Sequence, residues 1–221
     1  MRSPVDLVQG KVAGLNVTRT QGSNPNSGTS IQLRGMASIQ GGNTPLIVID
    51  GIPAGNLDLI KQGDIESIDV LTDGSAAAIY GTRGHGGVIL VTTKKGRAGT
   101  SAFEYYTYGQ TEAIARRPKM LSASQFRDLI IVGQDRPTLD LGSSTDLYDE
   151  LINHNNFSTF HNFVGSGGGE NSSYRASINY EKAQGIAKKN ERDQFGGRVN
   201  FSQTGLNNRL TFSGNVAANF N

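Results

Sequence analysis

From Tyr174 onward the chain alternates with a period of two. Tyr174, Ala176, Ile178 and Tyr180 fall on one face, and Arg175, Ser177, Asn179 and Glu181 on the other. Phe195, Gly197, Val199 and Phe201 oppose Gly196, Arg198, Asn200 and Ser202 in the same way. Leu210, Phe212, Gly214, Val216, Ala218 and Phe220 oppose Thr211, Ser213, Asn215, Ala217 and Asn219. Each of these segments carries one apolar and one polar face, with aromatics toward the ends of the apolar one. The pattern predicts membrane-spanning β-strands, with lipid outside, a wet lumen inside and aromatic girdles at the interfaces. Phe103–Gln110 and Phe157–Ser166 are predicted as two more strands with less regular alternation. Gly167–Ser172 and Gly205–Asn208 read as short polar turns, Ala183–Arg192 as a longer link, and residues 111–156 as a long outer loop. In that loop Ser122 or Ser124 caps a helix containing Phe126, Leu129 and Ile130. The competing reading is a soluble carbohydrate- or protein-binding module, in which residues 1–98 work alone as the receptor and the later strands form an ordinary antiparallel sandwich with one wet face.

Before residue 98 the pattern differs. Ser3-Pro4-Val5-Asp6 predicts a helix start, with Ser as N-cap, Pro at the first helical position and an acid in the first turn. Val5, Val8 and Val12 then share a face, and Gly14 ends the helix. Leu15–Arg19, Ser30–Arg34 and Leu46–Asp50 read as short strands, the last apolar enough for burial on both faces. Residues 21–28 read as an irregular loop. Ile65–Leu71 predicts a strand, Asp73-Gly74-Ser75 a cap for a short helix Ala76–Tyr80, and Gly87–Thr93 a buried returning strand. The expected division is a compact mixed domain over residues 1–98 and a strand-rich part over residues 99–221.

Composition narrows these readings. Hydrophobic residues make up 36% of 221, with no run near the roughly 20 that a spanning helix needs, so a β-barrel is the one spanning structure left open. The 29 glycines favour turns and strands. Lys and Arg number 21 against 19 Asp and Glu, and neither half of the chain accumulates charge, which argues against a sequence-independent grip on nucleic acid. With no Cys, disulfides, thiolate metal sites and cysteine nucleophiles are excluded from these residues. Residues 1–20 lack a secretory leader, so an exported protein is expected to begin upstream.

Residues 64–96, including Asp73-Gly74-Ser75-Ala76-Ala77-Ala78-Ile79-Tyr80-Gly81-Thr82-Arg83-Gly84, closely resemble the end of the plug domain of TonB-dependent outer-membrane transporters, above all the SusC/RagA branch. Ile31-Gln32-Leu33-Arg34-Gly35 resembles the plug's Ile-Arg-Gly element, residues 45–53 its central strand and turn, and residues 7–17 its opening helix. Residues 163–170, 174–185 and 196–201 are similar to the first barrel hairpins of that branch.

The resemblance implies an α+β plug domain, a small mixed sheet with short helices, followed by antiparallel strands of an incomplete transmembrane β-barrel, 22-stranded in the complete family member. It implies a nutrient importer of the cell outer membrane. Its partners would be TonB, through a segment upstream of this chain, a SusD-like surface lipoprotein, an oligosaccharide or peptide cargo, and outer-membrane lipid. About 120 residues after the plug suffice for five strands, so a fragment is expected. Arg34 and Arg83 match plug arginines that in the wider family pair with barrel carboxylates. With Glu66 they are the expected plug–barrel latch, for which barrel partners would lie beyond Asn221. Asp69 is a lesser candidate for a local ion pair, and Asp50-Gly51 and Gly81–Gly84 read as tight turns.

No catalysis, cofactor or metal is expected. Gly81, Gly84 and Gly86 do not have dinucleotide-fingerprint spacing, and a strand follows them where a helix is required. His154 and His161 are seven apart with no third ligand spaced to join them. Nothing positions a nucleophile beside a base.

Overall fold

A computed structural model describes residues 4–19, 21–33, 44–53, 55–72, 78–97, 99–129, 142–207 and 209–221. They form a globular body and, after it, a single large sheet.

The globular body opens on one 3-10 turn, Pro4–Leu7, and not on the helix expected through Val12. Gly10 and Gly14 adopt φ of 74° and 78°, in the left-handed region, which breaks a helical ladder. The apolar stripe survives the loss of the helix: Val5 and Val8 are buried and Val12 packs against them. Strands β1 (Leu15–Arg19) and β2 (Thr29–Leu33) pair antiparallel, from Leu15 opposite Leu33 to Arg19 opposite Thr29. Their alternate residues Leu15, Val17, Ile31 and Leu33 enter the core.

A four-stranded mixed sheet forms the other half, in the order β4-β3-β6-β5. Its members are β3 (Leu46–Ile49), β4 (Ile52–Pro53), β5 (Ile65–Leu71) and β6 (Val88–Thr93). Strands β3 and β6 run parallel, as two apolar runs shielded on both sides should. Val88, Ile89 and Val91 are buried in β6, whereas in β3 only Val48 is fully covered. The cap proposed at residues 73–75 lies outside the described residues; residues 78–80 are helical and lead into a 3-10 turn, Gly81–Gly84.

Five strands follow, each antiparallel to the next: β7 (Ala102–Gln110), β8 (Ser158–Gly167), β9 (Ser172–Gln184), β10 (Glu191–Gly205) and β11 (Leu210–Phe220). All five expected strands are present. The sheet is inside out by the standard of a soluble protein. Apolar Phe163, Ile178, Val199 and Val216 are 59%, 54%, 46% and 67% exposed. Polar Asn162, Asn179, Glu181 and Asn200 are 2–5% exposed, because this face packs on the globular body. A sandwich would bury the first set and wet the second. The outward face also has the layering expected of a spanning wall. Tyr180, Phe195 and Phe220 align across three strands, and Tyr174 and Phe201 align across two of them six residues further along. Ala176, Ile178, Val199 and Val216 lie between these aromatic rows, which are about 20 Å apart along the strand.

One connection is shorter than expected. The link read as Ala183–Arg192 is only residues 185–190, since Gln184 already pairs with Glu191. The strands continue past the apolar band as a polar ladder, where hydropathy no longer alternates. The long loop between β7 and β8 carries α1 (Ala123–Arg127), capped by Ser122 in a reciprocal capping box with Gln125. It also carries α2 (Leu147–Leu151), whose cap is Asp146. A bridge from Ile152 to Ala187 ties this loop to the next hairpin on the same rim.

Asp146 accepts from the backbone N–H of Tyr148 and of Asp149 and forms an ion pair with Arg117. The Arg117 guanidinium, then the Asp149 N–H, holds its carboxyl below the usual carboxylate range. A proton thus binds the folded form less readily than the unfolded one. The cap's contribution is complete above about pH 4 and fades as the pH falls through the lowered folded value. Carboxyl carbon NMR of Asp146 should therefore titrate below an ordinary aspartate, and Arg117→Gln should move the midpoint upward. An unshifted midpoint in both proteins would rule the pairing out.

Candidate functional site between globule and wall

The polar face of the sheet is held to the globular body by three clusters of charged and amide groups. The first centres on Asp50. Strands β3 and β4 are joined by Asp50-Gly51, with φ of 49° and 86°, the left-handed pair that a two-residue hairpin demands. This turn points the Asp50 carboxylate at the wall. Its Oδ1 accepts from the Thr93 N–H at 2.8 Å, and its Oδ2 accepts from the Thr93 hydroxyl at 2.7 Å. Two wall groups also donate to Oδ2, Arg198 Nη2 at 2.9 Å and Asn215 Nδ2 at 3.2 Å. Asn200 completes the cluster by donating to the Thr93 hydroxyl and the Lys94 carbonyl.

Asp64 anchors the second cluster from the 3-10 turn that leads into β5. It accepts from Ser177 Oγ at 3.1 Å and faces Arg175 Nη2 at 3.4 Å, with all three residues buried. The third cluster surrounds Glu181 of β9. Lys61 of the globule donates to it at 2.8 Å, and Arg192 of the adjoining strand at 2.7 Å. Lys61 also donates to Gln194. In these dry settings a charge left without its partner costs several kcal/mol, so the three clusters together specify one seating of the globule.

Beside these contacts a cavity of about 660 Å³ separates the two bodies. Tyr106, Tyr108 and Phe160 form one side of it, with the Tyr108 and Phe160 rings stacked at 5.2 Å. Close packing resumes near Gly96, where an added Cβ would stand 2.1 Å from the Tyr174 carbonyl oxygen.

The residues singled out from sequence sit elsewhere or lie outside the description. Arg34 is outside the described residues. Arg83 is exposed in the 3-10 turn and lines a shallow cleft with Thr44, Pro45, Leu46, Ile47, Gly55, Thr82 and His85, all on the globule. Glu66 is exposed on β5, as is Asp69, which accepts from Ser67. Among the described residues, two of the three clusters have the opposite polarity to the expected latch, with plug-side acids on wall arginines. Sequence reasoning placed Arg175, Glu181 and Arg198 on the polar face without assigning them a role. A charged side chain in a strand face otherwise made of Ser and Asn was the available signal. Asp50 was read only as a turn residue; the turn is there, and its side chain does the docking. Neither of the paired candidates His154 and His161 meets the other: His154 faces Asp149, and His161 bonds Tyr105 and Thr107.

Residues 1–88 match the family described as TonB-dependent Receptor Plug Domain. The TonB-dependent receptor SusC of Bacteroides thetaiotaomicron is 34% identical over 97% of this chain, which spans 22% of that relative. The TonB-dependent receptor P26 of Formosa agariphila is 36% identical over 96% of the chain, which spans 24% of it. The solved structure of the RagAB peptide importer in its open-open state superposes with a TM-score of 0.81 over 97% of this chain and 28% of that one, at 24% identity. The chain belongs to the TonB-dependent receptors of the SusC/RagA branch. The globular body is thus the plug, and the inside-out sheet is a stretch of barrel wall. The three clusters are then plug–barrel seats, and the cavity lies between plug and lumen wall.

Proposed function

We propose that this chain is the gating portion of an outer-membrane nutrient importer, in which the plug closes the barrel lumen until TonB draws on it from the periplasm. The plug is assigned to residues 1–98 and the start of the wall to residues 99–221. The observation that carries the reading is the buried polar face, latched by Asp50–Arg198, Asp64–Arg175 and Lys61–Glu181 across two otherwise separate bodies. Water-filled barrels of this width leak unless something fills them. Ion pairs and hydrogen bonds of this kind can exchange their partners for water as the plug is drawn away, so the seats can part and re-form. An oligosaccharide or peptide is the proposed cargo, the peptide class supported by the importer named in the superposition. A SusD-like lipoprotein is the proposed lid on the rim where the long loop lies. Arg34, Arg83 and Glu66 remain proposed for a second latch against further wall strands. No catalytic step is assigned.

A reversible tether tests the reading. An added Cβ at Gly63 stands 3.3 Å from the Asn162 amide nitrogen across the interface, and these 221 residues contain no Cys. Gly63→Cys with Asn162→Cys in the whole receptor should bridge plug to wall when oxidised. Cargo uptake is expected to fall to background and to return on reduction. Full uptake while the bridge is demonstrably closed would sink the gating role.

A further inference from the structure

We propose that the cavity between plug and wall is a binding site for a carboxylate-bearing oligosaccharide, and that its carboxylate takes Arg175 from Asp64. This rests on the importer reading and names the class of cargo it serves.

Arg175 is 7% exposed, lines the cavity, and is underused. Its Nη2 reaches Asp64 at 3.4 Å, a long contact for an ion pair, and its Nη1 lies 4.0 Å from Glu104. Its Nε is buried with no hydrogen-bond partner. A guanidinium presents its donors as a planar fork that suits a bidentate carboxylate. Here one prong is loosely engaged, and the donor beside it has no partner among the described residues. By contrast Arg198 spends its Nε on Asn200 and its Nη2 on Asp50 and Thr93. Arg175 and Arg198 therefore differ: Arg198 is a completed seat, whereas Arg175 has capacity for a second anion, as does Arg192 of the same wall, whose Nε also has no partner among the described residues.

The surroundings favour such a ligand. Five cations line the cavity, Arg19, Lys61, Lys94, Arg175 and Arg192, against the two acids Glu104 and Glu181, with Arg19 engaged by Asp6 at 2.8 Å. Glu181 is already compensated from two sides, by Lys61 and by Arg192. The buried Asn162 has an amide oxygen with no partner, an acceptor suited to a hydroxyl. Tyr106 is 57% exposed, and with Tyr108 and Phe160 it offers aromatic faces on which the C–H face of a sugar ring lies flat. Anion fork, hydrogen-bond acceptor and aromatic platform together match a uronic acid, which carries a carboxylate, hydroxyls and an apolar ring face on one residue, whereas the acidic residue of a peptide carries the carboxylate without a ring face. Because the fork is shared, a carboxylate arriving on it competes directly with Asp64 and loosens one of the three plug seats as it binds.

Competition gives the test its sign. In the purified, detergent-solubilised receptor, binding of trigalacturonate is compared with maltotriose and triglutamate by calorimetry, which requires neither TonB nor transport. Trigalacturonate should bind preferentially. Arg175→Gln should weaken it about tenfold, the size of one charged hydrogen-bonded pair. Asp64→Asn should strengthen it severalfold, since the internal competitor becomes neutral. A merely structural role for the pair predicts losses in both variants, and that outcome overturns the proposal, as does equal binding of the neutral sugar. Triglutamate binding with the same variant pattern, and no trigalacturonate binding, overturns the sugar assignment. Failure of the tethering experiment leaves these binding results unaffected, so the two readings fail separately.

Discussion

Val199→Arg should prevent stable insertion of the barrel. Val199 lies mid-strand on the outward face, opposite Ala176 on one side and Val216 on the other. A charge at that depth of the hydrocarbon costs about 2–4 kcal/mol in a transmembrane barrel, and nearer the interface about 0–1 kcal/mol. Gln203→Arg, four residues further along the same face of β10 and beyond the Phe201 aromatic row, is the matched control. The full receptor carrying Val199→Arg is expected to vanish from the outer-membrane fraction and from the heat-modifiable species on gels, while Gln203→Arg persists. Val199 is 46% exposed in the chain itself, so in water both substitutions would be harmless. Equal tolerance of the two would dismiss the spanning wall.

Asp50→Ala should unseat the plug. It strips Arg198, 7% exposed, of its carboxylate and removes acceptors from Thr93 and Asn215 as well. Removing one partner of a buried ion pair costs about 3–5 kcal/mol, most of it from the charge left behind. Cells making the variant should become sensitive to large antibiotics that the closed lumen excludes. The plug should also become open to added protease. Asp50→Asn keeps the turn and some of the hydrogen bonds and should lie between. If the effect is the stranded guanidinium, Asp50→Ala with Arg198→Ala should be milder than the sum of the singles. Wild-type permeability and protease resistance in Asp50→Ala would show that this seat does not hold the plug.

How far the sequence discloses these features depends on the distance over which each is determined. Ile65–Leu71 is a strand with the bounds the apolar pattern gives it, and the wall strands β9, β10 and β11 follow from alternation, which is set by neighbours two residues away. The opening helix fails locally too, but for a competing reason: Gly10 interrupts a valine stripe that still reaches the core without helical geometry. The shortened link at residues 185–190 depends on register between partners, which a single strand's hydropathy does not encode. The site was the least legible part. Arg175 and Asp64 are 111 residues apart, and Arg198 and Asp50 are 148 apart, so only the closed fold pairs them. What the chain does show locally is that arginines sit on a face where Ser and Asn would suffice.

The double grip on Glu181 has a consequence for repeated cycling. Of its two cations, Lys61 belongs to the plug and Arg192 to the wall. In the proposed gating cycle, the acid would keep one counter-charge within its own sheet on withdrawal of the plug, so no proton or stray ion need rush in to neutralise it. The homeward stroke would then meet a socket in the same ionic condition as the one it left.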